Sequence, residues 1–222
     1  MPFLAHYGTQ LINLCAAVLL LLAFTMLTQR RILSLIHLYT AQGLVLFAST
    51  VLVALVTGQA ELYKSAALTL ALKVLALPWL LHFLIRRLNV KWDVETLINI
   101  PTTMLIGIVL VILAFNLAAP ISRLAGTVTR ATLGIAMASI LLSFLMMITR
   151  SKAVPQVIGF LSMENGLFFA ATAAVYGMPF VFEFGIAFDV LVAVLIMGVF
   201  FFQIRERFDS LDTRHLERLK EH

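Results

Sequence analysis

Lys73, Glu164 and Asp189 are the residues of this sequence best suited to chemistry, because each interrupts an apolar run. The runs are Leu70-Ala71-Leu72-Lys73-Val74-Leu75, Phe160-Leu161-Ser162-Met163-Glu164-Asn165-Gly166-Leu167-Phe168 and Gly185-Ile186-Ala187-Phe188-Asp189-Val190-Leu191. An ammonium at the centre of an apolar membrane helix costs roughly 2.5–3.5 kcal/mol on insertion scales. Lys73 therefore calls for a carboxylate partner or a watered cavity, since it lies too far from either end of its run to snorkel easily to a surface. A carboxyl group in such surroundings can exchange a proton when its neighbours change. The chemistry on offer is proton or ion coupling, and the structural alternative is an ion pair that only locks helices together.

Other polar residues could extend such a path. Pro78 follows Lys73 by five positions, has no N–H and would free the carbonyl of Val74, either shaping the packing or opening a polar route beside Lys73. Gln156 precedes Glu164 by eight positions, about 80° away around an ideal helix, so it could line the same broad face. Asn165 points about 100° from Glu164 and could bond a neighbouring helix or join the path. Gly166 reads as a close-packing position, and Gly185 could admit a helix or water towards Asp189. Glu183 lies nearer the boundary of its run, as a solvated surface group or a path entrance. Among His37, Tyr39 and Gln42, the last two can share a helix face, whereas His37 and Gln42 point about 140° apart. Each could couple to a proton or serve as hydrogen-bonded packing.

The elements that must position these groups follow from composition. Of 222 residues, 62% are apolar with glycine left out and only 12% are charged, which argues against a water-soluble globule and for lipid as the solvent. The histidines His6, His37, His82, His215 and His222 show no metal-ligand spacing, and the lone Cys15 allows neither an internal disulfide nor a multi-cysteine iron–sulfur site. The net charge of +5 sits in short clusters that bracket apolar blocks, as membrane-surface anchors do, so no nucleic-acid partner is expected. There is no glycine-rich phosphate loop.

Apolar blocks long enough to cross a bilayer run approximately over Leu11–Leu27, Ile32–Val56, Ser65–Ile85, Pro101–Leu117, Ala131–Ile148, Val154–Tyr176, and from Glu183 or Gly185 to Gln203. Pro101 is placed to open the fourth and Ala119-Pro120 to close it. The stretch Leu88–Asn99 reads as a surface segment or short interfacial helix. This makes an all-α polytopic membrane protein: a seven-helix transmembrane domain over 1–204 and a tail over 205–222. Twelve of the 16 Lys and Arg residues fall on one side of that layout, and only Lys64, Arg123 and Arg130 on the other. The positive-inside rule then predicts an external N-terminus and a cytoplasmic C-terminus.

The runs Leu70-Ala71-Leu72-Lys73-Val74-Leu75-Ala76-Leu77-Pro78, Gln156-Val157-Ile158-Gly159-Phe160 with Met163-Glu164-Asn165-Gly166, and Glu183-Phe184-Gly185-Ile186-Ala187-Phe188-Asp189 come in an order that resembles the hydrogenase-4 component E family. The resemblance covers nearly the whole chain. It implies a non-redox membrane subunit of an energy-converting nickel–iron hydrogenase or formate hydrogenlyase assembly, related to respiratory complex I and assisting proton translocation and assembly. The last three helices resemble complex I subunit K, whose membrane glutamates are implicated in a proton path. On that resemblance Glu164 matches one such glutamate and Lys73 the family's Lys-Val-Leu segment. Glu183 matches a second glutamate by identity and Asp189 by depth. The family's metal centres belong to partners, so the implied cofactors of this chain are none, with nickel–iron and iron–sulfur centres in neighbouring subunits. The implied partners are antiporter-like membrane subunits, hydrogenase subunits and lipid, in a bacterial or archaeal cell membrane. A purely structural scaffold, or an ion-transporting subunit of another oxidoreductase or antiporter, are the competing readings.

Overall fold

A computed structural model of the chain describes residues 2–87, 94, 96–125, 130–175 and 198, and every regular element among them is helical. The chain divides into two compact units, Met1–Phe180 and Val181–His222, and the architecture below is that of the first. The expected seventh span, apart from Gly198, and the tail lie outside the described residues, and so do Glu183 and Asp189.

Helix α1 is Pro2–Thr28, α2 Ile32–Thr57 and α3 Ala60–Thr69; a π-helical stretch, Leu70–Ala76, then leads into α4, Leu77–Arg87. The remaining helices are α5, Ile100–Ala125, α6, Arg130–Thr149, and α7, Ala153–Val175. Helices are what such apolar sequence must form in lipid, because no water is present there to satisfy a free N–H or C=O. The turn after α2 needs a glycine: Gly58 has φ 71° and donates its N–H to the Ala54 carbonyl at 2.8 Å, closing the helix in the left-handed conformation. The rod from α3 through the π stretch to α4 is unbroken, since Leu70 and Leu77 at the two junctions are both right-handed helical.

Five segments are long and apolar enough to cross a membrane: Gln10–Thr28, Ile32–Thr57, Leu62–Phe83, Ile100–Pro120 and Thr132–Thr149. Helix α7 is of similar length at 23 residues, but Gln156, Glu164 and Asn165 make it less apolar. One expected boundary is corrected. Pro120 does not close the fourth helix, which continues to Ala125. A proline deletes one hydrogen bond, and here it does so where the apolar part ends, so the backbone carries on as a helix beyond that part.

Helix α6 packs against α1, α5 and α7, while α2 packs against α1, α3, the π stretch and α7. Accordingly 56% of the apolar window of α6 is buried, against 22% of that of α5, which lies at the periphery. Helices α6 and α7 approach closely at small residues. A Cβ on Gly159 would stand 2.9 Å from Met147 Cγ, and one on Gly166 3.0 Å from Ile140 Cγ1, while the Ser143 and Ser162 hydroxyls share a 2.8 Å hydrogen bond between them. The outward faces carry Leu14, Leu21, Leu75, Trp79, Leu105, Val109 and Ile148, whereas Lys73, Glu164, Asn165, Gln42 and many serines and threonines are buried. Apolar outside and polar inside is the arrangement of a multi-pass membrane protein.

Candidate functional site

Lys73 sits in the middle of the π stretch, where the Leu77 N–H reaches back five residues to the Leu72 carbonyl. Such wide turns are rare and recur at functional sites. Pro78 contributes to this one, because without an N–H it cannot add a regular bond to the turn before it. The side chain of Lys73 is only 5% exposed, and among the described residues its ammonium is met by α7. Nζ lies 3.2 Å from Glu164 Oε1, donates to Asn165 Oδ1 at 3.0 Å, and stands 5.5 Å from the centre of the Phe168 ring. The ammonium bridges the angle between Glu164 and Asn165, and Phe168, one turn from Glu164, places its ring face over the charge.

Two glycines make this contact possible. A Cβ at Gly43 of α2 would stand 3.2 Å from Val74 Cγ2 and 3.4 Å from the Lys73 carbonyl oxygen, so α2 comes close to the backbone that carries Lys73. On α7, Gly166 presses against α6 next to the residues that hold the ammonium. The site is thus enclosed between α2, the π stretch and α7.

Tyr39 and Gln42 are both buried on α2, and Tyr39 lies within electrostatic reach of Glu164. The Tyr39 hydroxyl, Gln42 Oε1 and Asn165 Nδ2 have no hydrogen-bond partner among the described residues. In an apolar interior such atoms mark places that water or a moving proton carrier can occupy. The centre therefore unites an ammonium, a carboxylate, an amide and a phenol, with the two charged groups close enough to exchange a proton directly or through one water.

Two other candidates fall elsewhere. His37 is exposed on α2, and its ring centre is 5.9 Å from that of His82 on α4, so it pairs with another imidazole rather than with Lys73. Gln156 is held at the start of α7, two turns before Glu164. Its Nε2 donates to the Arg150 carbonyl at 2.8 Å, where it bridges the α6–α7 turn, because the first turn of α7 lies beside that free carbonyl. Among the described residues no three His, Cys, Asp or Glu side chains come together to hold a metal ion.

Sequence reasoning missed Arg150, which reads as a surface anchor. It is 1% exposed, and Nη2 donates to the carbonyls of Met26 at 3.1 Å and Leu27 at 2.7 Å. These belong to the last turn of α1, whose carbonyls have no helical partner and favour a cation. The backbone joins the same knot: Thr96 bridges to Arg150, Leu97 donates to the Thr149 carbonyl and Val94 to that of Arg30. The one hint in the sequence is that Arg150 falls at the same end of the bundle as the close of α1.

No protein-family model and no solved structure matches the chain. Among curated proteins it is 30% identical over 212 residues to the uncharacterized protein Rv0085 of Mycobacterium tuberculosis, covering 95% of this chain and 96% of the relative. It is 22% identical over 213 residues to hydrogenase-4 component E of Escherichia coli K12 and of Shigella flexneri, covering 96% of this chain and 99% of each relative. Similarity that runs from end to end at this level identifies a common family: the protein belongs to the family of Rv0085, and the distant full-length matches support hydrogenase-4 component E as part of it.

Proposed function

We propose that this protein is a non-redox membrane subunit of an energy-converting hydrogenase complex, of the formate hydrogenlyase type, and that the Lys73–Glu164 pair is a station on its proton path. The observation that carries the reading is the ion pair itself, two opposite charges 3.2 Å apart deep between helices distant in sequence. The match to hydrogenase-4 component E supports the choice of complex. In this reading the chain crosses the bacterial or archaeal cell membrane seven times, with the N-terminus outside and the C-terminus in the cytoplasm. Antiporter-like membrane subunits and hydrogenase subunits are its neighbours, and the latter hold the nickel–iron and iron–sulfur centres.

A shift in a neighbour's charge or packing changes whether the ion pair or its neutral form is the more stable, and the excess proton then moves on. Tyr39, Gln42 and Asn165 supply polar atoms beside the pair, and Glu183 or Asp189 is the next carboxylate along the route, in keeping with the resemblance to complex I subunit K. The test is Glu164→Gln in the assembled complex. The expected result is intact assembly and hydrogen chemistry, with protons moved per electron reduced. Undiminished translocation removes Glu164 from the mechanism. Loss of assembly makes the pair a structural clamp and the protein a scaffold.

A further inference from the structure

The buried polar atoms do not end at the ion pair. Ser65 and Thr69 precede Lys73 by two turns and one turn, and all three are buried on the inner face of the rod. On α2, Gln42 and Ser49 are seven positions apart and share a stripe, and both are buried. The Ser65 and Ser49 hydroxyls have no hydrogen-bond partner among the described residues. The threonines of α2 behave differently: Thr40, Thr50 and Thr57 each donate to the carbonyl one turn back, at 2.8–2.9 Å. A serine can make the same bond, so hydroxyls that leave it unmade need another acceptor.

The register of the antiparallel pair fixes where these serines lie. Gly43 approaches Lys73 at one level, and Val53 and Ala54 pack with Leu62 at another, nearer the Gly58 turn. Counting between those two contacts places Ser49 and Ser65 at a similar depth, to within about two residues, with Ser65 roughly 12 Å from Lys73 along the rod. Beyond them Val53, Ala54 and Leu62 form an apolar cluster, closed from the side of α1 by Ile12.

We infer that a hydrated half-channel leads from the Lys73–Glu164 pair towards the Gly58 turn, lined by Gln42, Ser49, Ser65 and Thr69 and stopped by the Val53–Ala54–Leu62–Ile12 plug. Its ligand is water, which satisfies the unpaired hydroxyls and amide oxygen at two to four hydrogen bonds per molecule. In the orientation proposed above the plugged end faces the external side. The proton role of this path rests on that reading, while its wetness does not.

The experiment uses membranes that hold the whole complex, with Cys15→Ala removing the sole cysteine. Ser65→Cys and Ser49→Cys are exposed to a small water-soluble methanethiosulfonate, which modifies only hydrated thiols, and compared with the equally buried Ala66→Cys and Leu46→Cys. The expected result is modification of the two serine positions at least tenfold faster than of the controls, and a further several-fold rise when Leu62→Ala thins the plug. Rates equal to the controls, with and without Leu62→Ala, overturn the half-channel. Ser49→Val with Ser65→Val gives a second readout, a drop in protons moved per electron with assembly unchanged. Fast modification together with normal translocation in Glu164→Gln keeps the water path and refutes the relay. Slow modification with impaired translocation does the reverse.

Discussion

Replacing Lys73 with Met and Glu164 with Gln, singly and together, measures how strongly the two side chains depend on each other. Unit charges 3.2 Å apart attract by about 5 kcal/mol at an effective dielectric near 20, and desolvation of both groups offsets much of that. Removing one partner of a buried pair strands the other and costs about 3–5 kcal/mol. Glu164→Gln falls at the low end, near 3 kcal/mol, because the ammonium keeps the Asn165 oxygen at 3.0 Å and the Phe168 ring at 5.5 Å. The double variant leaves no stranded charge and returns to within about 1 kcal/mol of the parent, so the cycle gives a coupling of roughly 5–8 kcal/mol. The assay is reversible unfolding of the purified chain in mixed micelles at increasing denaturing detergent, with helicity as the signal. Single variants whose costs simply add, with coupling under about 0.5 kcal/mol, refute the claim that the pair is desolvated and mutually dependent.

Two further expectations follow from packing and capping. Gly166→Leu forces α7 away from the Ile140 backbone nitrogen, 3.3 Å from the new Cβ, and lowers stability by about 1–3 kcal/mol; a Ser143→Cys/Ser162→Cys pair should then cross-link more slowly, and an unchanged rate refutes the close approach. Arg150→Met strips the Met26 and Leu27 carbonyls of their donor and should cost about 2–5 kcal/mol, with Arg150→Lys recovering part of it. Melting in detergent checks this, and a melting temperature equal to the parent's removes Arg150 from the role of cap.

The sequence makes legible those features that depend on a single helix. The need of Lys73 for company, the close of α1, both ends of α2 and the close-packing role of Gly166 all follow from residue type and local spacing, whereas α1 begins at Pro2, nine residues before its apolar block. It leaves open whatever depends on which helices meet. Glu164, Glu183 and Asp189 compete on paper as partner of Lys73; the packing of the rod against α7 brings Glu164 to it, while the other two lie outside the described residues. His37 and His82 are 45 residues apart in the chain, and no periodicity announces that their rings come within 5.9 Å. Arg150 resembles every other basic residue that follows an apolar block until α1 is seen ending beside it. The π turn is hidden because its residues are as apolar as those of any regular turn, with Pro78 as the only local sign.

That wide turn makes the spacing between Thr69 and Pro78 a matter of phase rather than composition. A regular helix would cover the same stretch with one residue fewer. Deleting a single apolar residue there, such as Ala71, would ease the backbone into ordinary geometry and leave Ser65 and His82 in their relative phase, whereas a regular helix that kept every residue would turn one flank by about 100° against the other. The wide turn thus lets the rod carry one extra residue while its two flanks keep their facing sides.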